Sequence, residues 1–131
     1  MRILVVNDDA MVGRAITRQL RRDGVVCCES DPERAIERVG AVAGTDARFD
    51  MVLCDYGMPT MTGLSVAQAL SNLADPPTFV LMTGLHDIDA PADLVDGVLF
   101  KPFGVDRLKT ALTAFADRGR RRRRPTLNPA A

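Results

Sequence analysis

Short apolar runs recur along the chain, and each is about as long as a β-strand. They cover residues 3–6, 25–28, 51–54, 79–82 and 98–100. Within each run the apolar positions are nearly continuous rather than alternating with polar ones, which is typical of parallel strands covered on both faces. The pattern therefore predicts five parallel strands.

Segments with helical spacing of apolar residues lie between and after these runs. They cover residues 12–20, 35–42, 64–73 and 105–115. Asp31 and Pro32 precede the second segment, and a capping side chain followed by proline is a typical start of a helix. Alternating strands and helices predict a doubly wound α/β fold with right-handed crossovers, in which ligands bind at the carboxyl ends of the strands.

The connection between the last two strands is the weak element of this pattern. Only thirteen residues separate Gly84 from Val98, and Pro91 interrupts them. Proline is tolerated in the first turn of a helix but not in its interior. A short helix over about residues 90–95 is the most that this segment allows, so we expect the fourth helix to be short or irregular.

The length and charge of the chain indicate one domain with a basic end. The 131 residues are 47% hydrophobic, which suits a single packed domain. Residues 1–117 hold eleven basic and seventeen acidic side chains, a net charge of −6, whereas residues 118–131 hold six arginines and no acid. We therefore predict an acidic domain over 1–117 and an arginine-rich tail over 118–131.

Several classes of protein are excluded by the composition. No apolar run is long enough for a membrane span or a signal peptide, and three cysteines without a CxxC pair provide neither a disulfide framework nor a zinc site. The odd cysteine count suits a reducing cytoplasm. The run of arginines at 120–124 has no interleaved aromatic residues, which argues against sequence-specific binding to nucleic acid.

Acids, a hydroxyl and a lysine follow the ends of four predicted strands. Asp8 and Asp9 follow the first strand, Asp55 the third, Thr83 the fourth and Lys101 the fifth. Crowded carboxylates repel one another unless a cation joins them, and Mg²⁺ binds carboxylates together with water and phosphate oxygens. A cation, a free carboxylate and a lysine together suit phosphoryl transfer. Capping of a helix and the start of a turn remain the alternative roles for any single acid.

Four separated motifs together resemble one known family. The segment 55–63 reads D-x-x-M-P-x-x-x-G, the acid pair stands upstream of it, and Thr83 and the Lys101-Pro102 pair stand downstream. This combination resembles the receiver domain of two-component response regulators, over residues 2 to about 117. The resemblance implies a flavodoxin-like sheet in the order 2-1-3-4-5 with helices on both faces.

The resemblance also implies roles in phosphoryl acceptance. Asp55 would accept the phosphoryl group from a phosphohistidine on a sensor histidine kinase or a histidine phosphotransfer protein. Thr83 would donate a hydrogen bond to a phosphoryl oxygen, and Lys101 would pair with the phosphoryl group. We expect the Lys101-Pro102 peptide bond to be cis. Such a protein is not an enzyme on an external metabolite, since it only accepts the group and slowly hydrolyses it.

The family's magnesium site maps onto the same strand ends. The resemblance implies that Asp8 binds Mg²⁺ directly, together with Asp55 and the backbone carbonyl of Gly57. Asp9 would contribute indirectly, through water or through its charge. The first position of the family's acidic cluster is Asn7, which removes one negative charge and predicts weaker binding of magnesium.

Two departures from the family concern the output of the domain. Val98 stands at the switch position, where the family usually has tyrosine or phenylalanine, and the segment 83–101 is short. The expected function is that of a stand-alone response regulator that signals by protein contact or phosphorelay to an unknown downstream protein. The alternative is a degenerate receiver that acts as a scaffold whatever its phosphorylation state. The sequence leaves a homodimer open.

Two other residues have unremarkable expected roles. His86, the single histidine, falls in a polar segment, and we expect it to be a solvated loop residue. Cys54 precedes Asp55 on a strand, and we expect it to be a small buried side chain rather than a redox sensor.

Overall fold

The chain folds around a five-stranded parallel sheet in the order β2-β1-β3-β4-β5. The computed structural model describes residues 1–123, with side chains as far as residue 119. The strands are β1 Arg2–Val6, β2 Val25–Glu29, β3 Met51–Asp55, β4 Thr78–Thr83 and β5 Gly97–Phe100. The helices are α1 Ala10–Leu20, α2 Pro32–Val42, α3 Gly63–Leu70 and α4 Val105–Arg123. The predicted strand number, strand order and α/β class are confirmed.

Apolar side chains of the strands alternate between the two faces of the sheet. Leu4 and Val52 point to the face that α2 and α3 cover, and Val5 and Leu53 point to the face that α1 and α4 cover. All four side chains are fully buried. Because both faces are covered, the inner strands are apolar along most of their length, which explains the continuous runs in the sequence.

Side-chain caps begin three of the helices. Asp9 caps α1, Asp31 caps α2 with Pro32 at its first position, and Thr62 caps α3. Each cap accepts hydrogen bonds from backbone amides of the first turn, which have no partner within the helix. The predicted start of α2 at Asp31 and Pro32 is confirmed.

The connection from β4 to β5 contains a single turn and no helix in residues 84–96. Backbone amides of Leu94 and Val95 donate to the carbonyl of Pro91 at 3.0 and 2.9 Å. Leu94 and Val95 also belong to the apolar layer on the α2 and α3 side of the sheet. The predicted irregularity is therefore present, whereas the short helix that the sequence allowed over 90–95 does not form.

Helix α4 continues to Arg123, so the predicted domain boundary after residue 117 lies inside it. A guanidinium nitrogen of Arg118 donates to the backbone carbonyl of Asp96 at 3.1 Å, and the guanidinium lies 5.4 Å from the centre of the Phe115 ring. A Cβ added to Gly119 would overlap the side chain of Thr78. Residues 118 and 119 thus pack on the domain, and the extent of the arginine-rich tail stays a prediction, with residues 124–131 outside the described part.

None of the helices in the described part of the chain combines the length and the apolar character that a membrane span requires.

Candidate functional site

Polar side chains that follow separate strands meet at the carboxyl edge of the sheet. Asp55 ends β3 and Thr83 ends β4, and the amide of Tyr56 donates to the carbonyl of Met82 at 2.8 Å. The amide of Lys101, which follows β5, donates to the carbonyl of Thr83 at 2.8 Å. An open cleft of about 400 Å³ at this edge is lined by Asp55, Thr83 and Lys101, among others.

An ion pair joins the third and fifth strands in this cleft. Lys101 Nζ donates to Asp55 Oδ1 at 2.5 Å. The Asp55 side chain is only 9% exposed, and that of Lys101 is 38% exposed. The ammonium group therefore compensates a nearly buried carboxylate while remaining in contact with solvent. The sequence placed both residues at strand ends, and the structure brings them together.

The Thr83 hydroxyl lies in the wall of the same cleft. Its oxygen accepts a hydrogen bond from the amide of Leu85 at 3.0 Å, and the residue is buried. A hydroxyl can accept and donate at the same time, so its hydrogen remains available to an acceptor in the cleft. This is the chemistry expected of a group that binds an anionic oxygen.

The three polar residues after β1 have different surroundings. Asn7 is buried, and its Oδ1 accepts from the amide of Asp9 at 3.0 Å. Asp9 Oδ1 accepts from the amides of Met11 and Val12 at 3.0 and 3.3 Å, so Asp9 caps α1 as the alternative role proposed. Asp8 lies between them and is exposed. Because Val6 pairs in register with Cys54, the backbone of Asn7 follows at the level of Asp55.

Oxygen atoms are the donors available at this edge, and they are the donors that magnesium prefers. Within the described residues, no group of three or more His, Cys, Asp or Glu side chains is placed to hold a metal. Of the three polar residues after β1, Asn7 carries no charge, and one oxygen of Asp9 accepts a hydrogen bond in the cap of α1. Mg²⁺ usually binds one or two carboxylates and keeps several waters, and the carboxylates of Asp8 and Asp55 and the Gly57 carbonyl are oxygen donors of the kind that it prefers.

Close packing explains the glycine of the D-x-x-M-P-x-x-x-G segment. The amide of Gly63 donates to the carbonyl of Tyr56 at 2.8 Å, which closes the loop after Asp55. A Cβ at Gly63 would lie 2.5 Å from the backbone oxygen of Asp55 and 2.6 Å from Leu81 Cδ1. Any larger residue would therefore displace the backbone that carries Asp55. Met58 of the same loop is buried among apolar side chains.

Cys54 and the Lys101-Pro102 bond agree with their predicted states. The Cys54 side chain is fully buried, and its Sγ donates to the backbone carbonyl of Asp55 at 3.3 Å. Burial raises the pKa of the Cys54 thiol well above its usual range, and the Asp55 charge raises it further. Burial and a raised pKa both argue against a redox role for this thiol. The Lys101-Pro102 peptide bond is cis, as predicted.

A ring contact that the sequence pattern does not predict lies beside the cleft. His86 is exposed, as predicted, but its ring stacks on the Phe100 ring with centroids 4.7 Å apart. Val98 is half-buried and packs against the apolar layer on the α2 and α3 side. Phe100 lies two residues after Val98, and this spacing places both on one face of the strand. No local pattern in the sequence signals the contact of His86 with Phe100, because it depends on the path of residues 84–96.

Known proteins are similar to this chain in sequence and in fold. PmrA, a response regulator protein of Pseudomonas aeruginosa, is 30% identical, and the match covers 97% of this chain and 58% of PmrA. A response regulator receiver protein from Burkholderia phymatum has a solved structure that is 27% identical, with a TM-score of 0.73, over 88% of this chain and 94% of that chain. TrrA from Thermotoga maritima, solved in complex with Mg²⁺-BeF, is 24% identical with a TM-score of 0.74, over 87% and 97% of the two chains.

The matches cover most of this chain but only part of each curated relative. This chain spans between about a fifth and three fifths of the length of the curated relatives it matches. The family model described as the response regulator receiver domain covers residues 3–113, which include all the residues at the cleft. By sequence and by fold, the chain belongs to the response regulator receiver domain family.

Proposed function

We propose that this receiver accepts a phosphoryl group on Asp55 from a phosphohistidine of a sensor histidine kinase or a histidine phosphotransfer protein, in a Mg²⁺-dependent reaction. One observation carries the proposal: the nearly buried Asp55 carboxylate pairs with Lys101 in a cleft that the Thr83 hydroxyl also lines. A carboxylate, a cation and a hydroxyl around one opening suit the transfer of a phosphoryl group.

The proposed step conserves atoms and charge. A carboxylate oxygen of Asp55 attacks the phosphorus, and the phosphorus–nitrogen bond of the donor breaks with its electron pair returning to the donor imidazole. The product is an acyl phosphate on Asp55. The Lys101 ammonium and the Thr83 hydroxyl would stabilise the negative charge on the phosphoryl oxygens.

Asp8, Asp55 and the Gly57 carbonyl would hold the magnesium ion, and Asp9 would contribute indirectly. When bound, the ion supplies positive charge next to the phosphoryl oxygens. The complex of TrrA with Mg²⁺-BeF supports the assignment for the family, and the oxygen donors of this chain fit it. Asp9 has one oxygen in the cap of α1, which agrees with an indirect role.

Receiver domains accept phosphoryl groups and hydrolyse them only weakly, and we propose the same here rather than turnover of a metabolite. All three cysteines are free thiols, which supports a reducing compartment, and we assign the protein to the cytoplasm. Output would follow from contact with a downstream protein or from transfer of the phosphoryl group to another carrier.

Phosphorylation-independent scaffolding is the second candidate function. It is favoured by Val98 at the switch position and by the absence of a helix in residues 84–96. Both features alter the surface through which phosphorylation would be communicated. This candidate predicts partner binding that does not change when Asp55 is modified.

Labelling with a small phosphodonor tests the main proposal. The protein is mixed with phosphoramidate, with Mg²⁺ or with excess EDTA, and the phosphorylated fraction is measured by intact mass. We expect labelling with Mg²⁺, little with EDTA and none in Asp55→Asn. Asp50→Asn is the matched control, because Asp50 immediately precedes β3 at the opposite edge of the sheet and accepts a hydrogen bond from the amide of Arg2. Equal labelling of the two variants would contradict the proposal, and no labelling of the wild type would favour the scaffold.

A further inference from the structure

Two stacked rings lie beside the cleft. The rings of His86 and Phe100 are 17° from parallel, with centroids 4.7 Å apart. Phe100 ends β5, pairs in register with Thr83 and directly precedes Lys101. The stack therefore joins the segment after β4 to the strand that leads into the lysine of the cleft.

The turn that carries His86 has little burial of its own. Gly84, Leu85 and His86 are all exposed, and a Cβ added at Gly84 would meet no atom within 4 Å. Exposed segments with few apolar contacts open at small free-energy cost. Aromatic pairs stabilise beyond the area that they bury. The contact with Phe100 is thus able to restrict a turn that would otherwise sample several conformations.

The conformation of this turn determines how the Thr83 hydroxyl is used. The Leu85 amide donates to Thr83 Oγ1 at 3.0 Å, so the hydroxyl oxygen is an acceptor within the turn. The hydroxyl hydrogen is consequently left to donate toward the cleft. Movement of residues 84–86 would break the Leu85 contact and release the Thr83 side chain from this orientation.

We propose that His86 is a positioning residue for phosphoryl acceptance: its stack on Phe100 holds the turn at residues 84–86, and the turn holds the Thr83 hydroxyl toward the cleft. The inference rests on the proposed function of Asp55. It requires a flat ring at position 86 and no proton transfer by that ring. Phenylalanine should therefore replace His86, whereas alanine should not.

The rate of labelling by phosphoramidate, measured on the full chain with Mg²⁺, tests the inference. We expect His86→Ala to lower the second-order rate constant about two- to tenfold, the range that loss of one aromatic pair allows. His86→Phe should restore the wild-type rate. Asp87→Ala is the matched control, because Asp87 is the next residue and is also exposed. A rescue by phenylalanine separates ring stacking from a general effect on folding.

A second variant gives a spectroscopic readout that does not depend on labelling. His86 is the only histidine, so its imidazole protons are assigned in an NMR spectrum without ambiguity. Stacking on Phe100 shifts these protons, and Phe100→Leu should remove the shift and lower the labelling rate as His86→Ala does.

The outcomes separate this inference from the function on which it rests. Wild-type protein that takes up no phosphoryl group would contradict the proposed function and the inference together. The inference alone would be overturned if the wild type were labelled and His86→Ala were labelled at the same rate. It would also be overturned if the His86 protons of the wild type showed no shift from stacking.

Discussion

The pairing of Lys101 with Asp55 has an energy that a double-mutant cycle can measure. The variants are Lys101→Met, Asp55→Asn and the combination of the two. Lys101→Met should be the more destabilising single change, because it leaves the nearly buried Asp55 carboxylate without its cation. Asp55→Asn removes the buried charge and keeps the shape of the side chain, so its cost should be smaller.

The structure sets the expected size of the coupling energy. At the 2.5 Å between Lys101 Nζ and Asp55 Oδ1, Coulomb's law gives about 1.7 kcal/mol in bulk water and about 7 kcal/mol at an effective dielectric constant of 20. Removing Asp55 from water offsets much of this, and solvent screens Lys101, which is 38% exposed. We therefore expect a coupling of about 1–2 kcal/mol, between the values typical of exposed and buried pairs.

Urea unfolding at pH 7 measures the free energies of unfolding of the four proteins. Lys109→Met is the matched control, because Lys109 is the only other lysine and pairs at 3.5 Å with the more exposed Asp23. That control should change stability by less than about 1 kcal/mol. A coupling below about 0.3 kcal/mol, the level seen for independent sites, would refute the assigned role of the Lys101 ammonium.

Three further predictions follow from the packing and the hydrogen bonds. In urea unfolding, Gly63→Ala should lower the free energy of unfolding by about 1–3 kcal/mol, because its Cβ would overlap the backbone of the site. Gly40→Ala in α2, where an added Cβ meets no atom within 4 Å, should raise it by up to about 1 kcal/mol. Changes of the same sign in the two variants would contradict this. Asp9→Ala should cost about 0.5–2 kcal/mol of stability through loss of the α1 cap. Asp8→Asn should instead weaken Mg²⁺ binding, measured by titration calorimetry, with little change in stability. A larger loss of Mg²⁺ affinity in Asp9→Ala than in Asp8→Asn would contradict the roles assigned to these two residues. Cys54 should resist alkylation at pH 8 until the protein unfolds, and rapid alkylation of the folded protein would contradict this. Because the pKa of Cys54 is raised in the folded state, only the unfolded thiol ionises as the pH rises above 9.0, and the free energy of unfolding should fall there.

The position of the site could be predicted because it depends on topology. Parallel strands buried on both faces have continuous apolar runs, and their carboxyl ends share one edge of the sheet. Asp55, Thr83 and Lys101 follow such runs, so their convergence followed from the sequence before any distance was known. The identity of the chemistry came from the combination of motifs rather than from any one residue.

Asp9 shows where sequence reasoning could not decide. A carboxylate after β1 can cap α1 or bind a metal through water, and both roles favour the same residue at the same position. The hydrogen bonds of Asp9 Oδ1 to the amides of Met11 and Val12 establish capping by that oxygen. Both Asp8 and Asp9 are exposed, so these hydrogen bonds of Asp9, and not burial, distinguish the two residues.

The ring contact and the length of α4 depended on tertiary packing. His86 meets Phe100 because of the path that residues 84–96 take, and no local pattern records that path. The sequence predicts an arginine-rich tail from residue 118, and helix α4 runs into that segment as far as Arg123. Gly119 permits this continuation by allowing close approach to Thr78.

The most direct test of the central claim is the position of the acyl phosphate after labelling. Borohydride reduces an aspartyl phosphate to homoserine, and peptide mass spectrometry then locates the changed residue. We predict homoserine at position 55 in protein labelled with Mg²⁺, and little when Mg²⁺ is removed. Homoserine at another aspartate, or labelled protein with position 55 unchanged, would contradict the assignment of Asp55 as the phosphoacceptor.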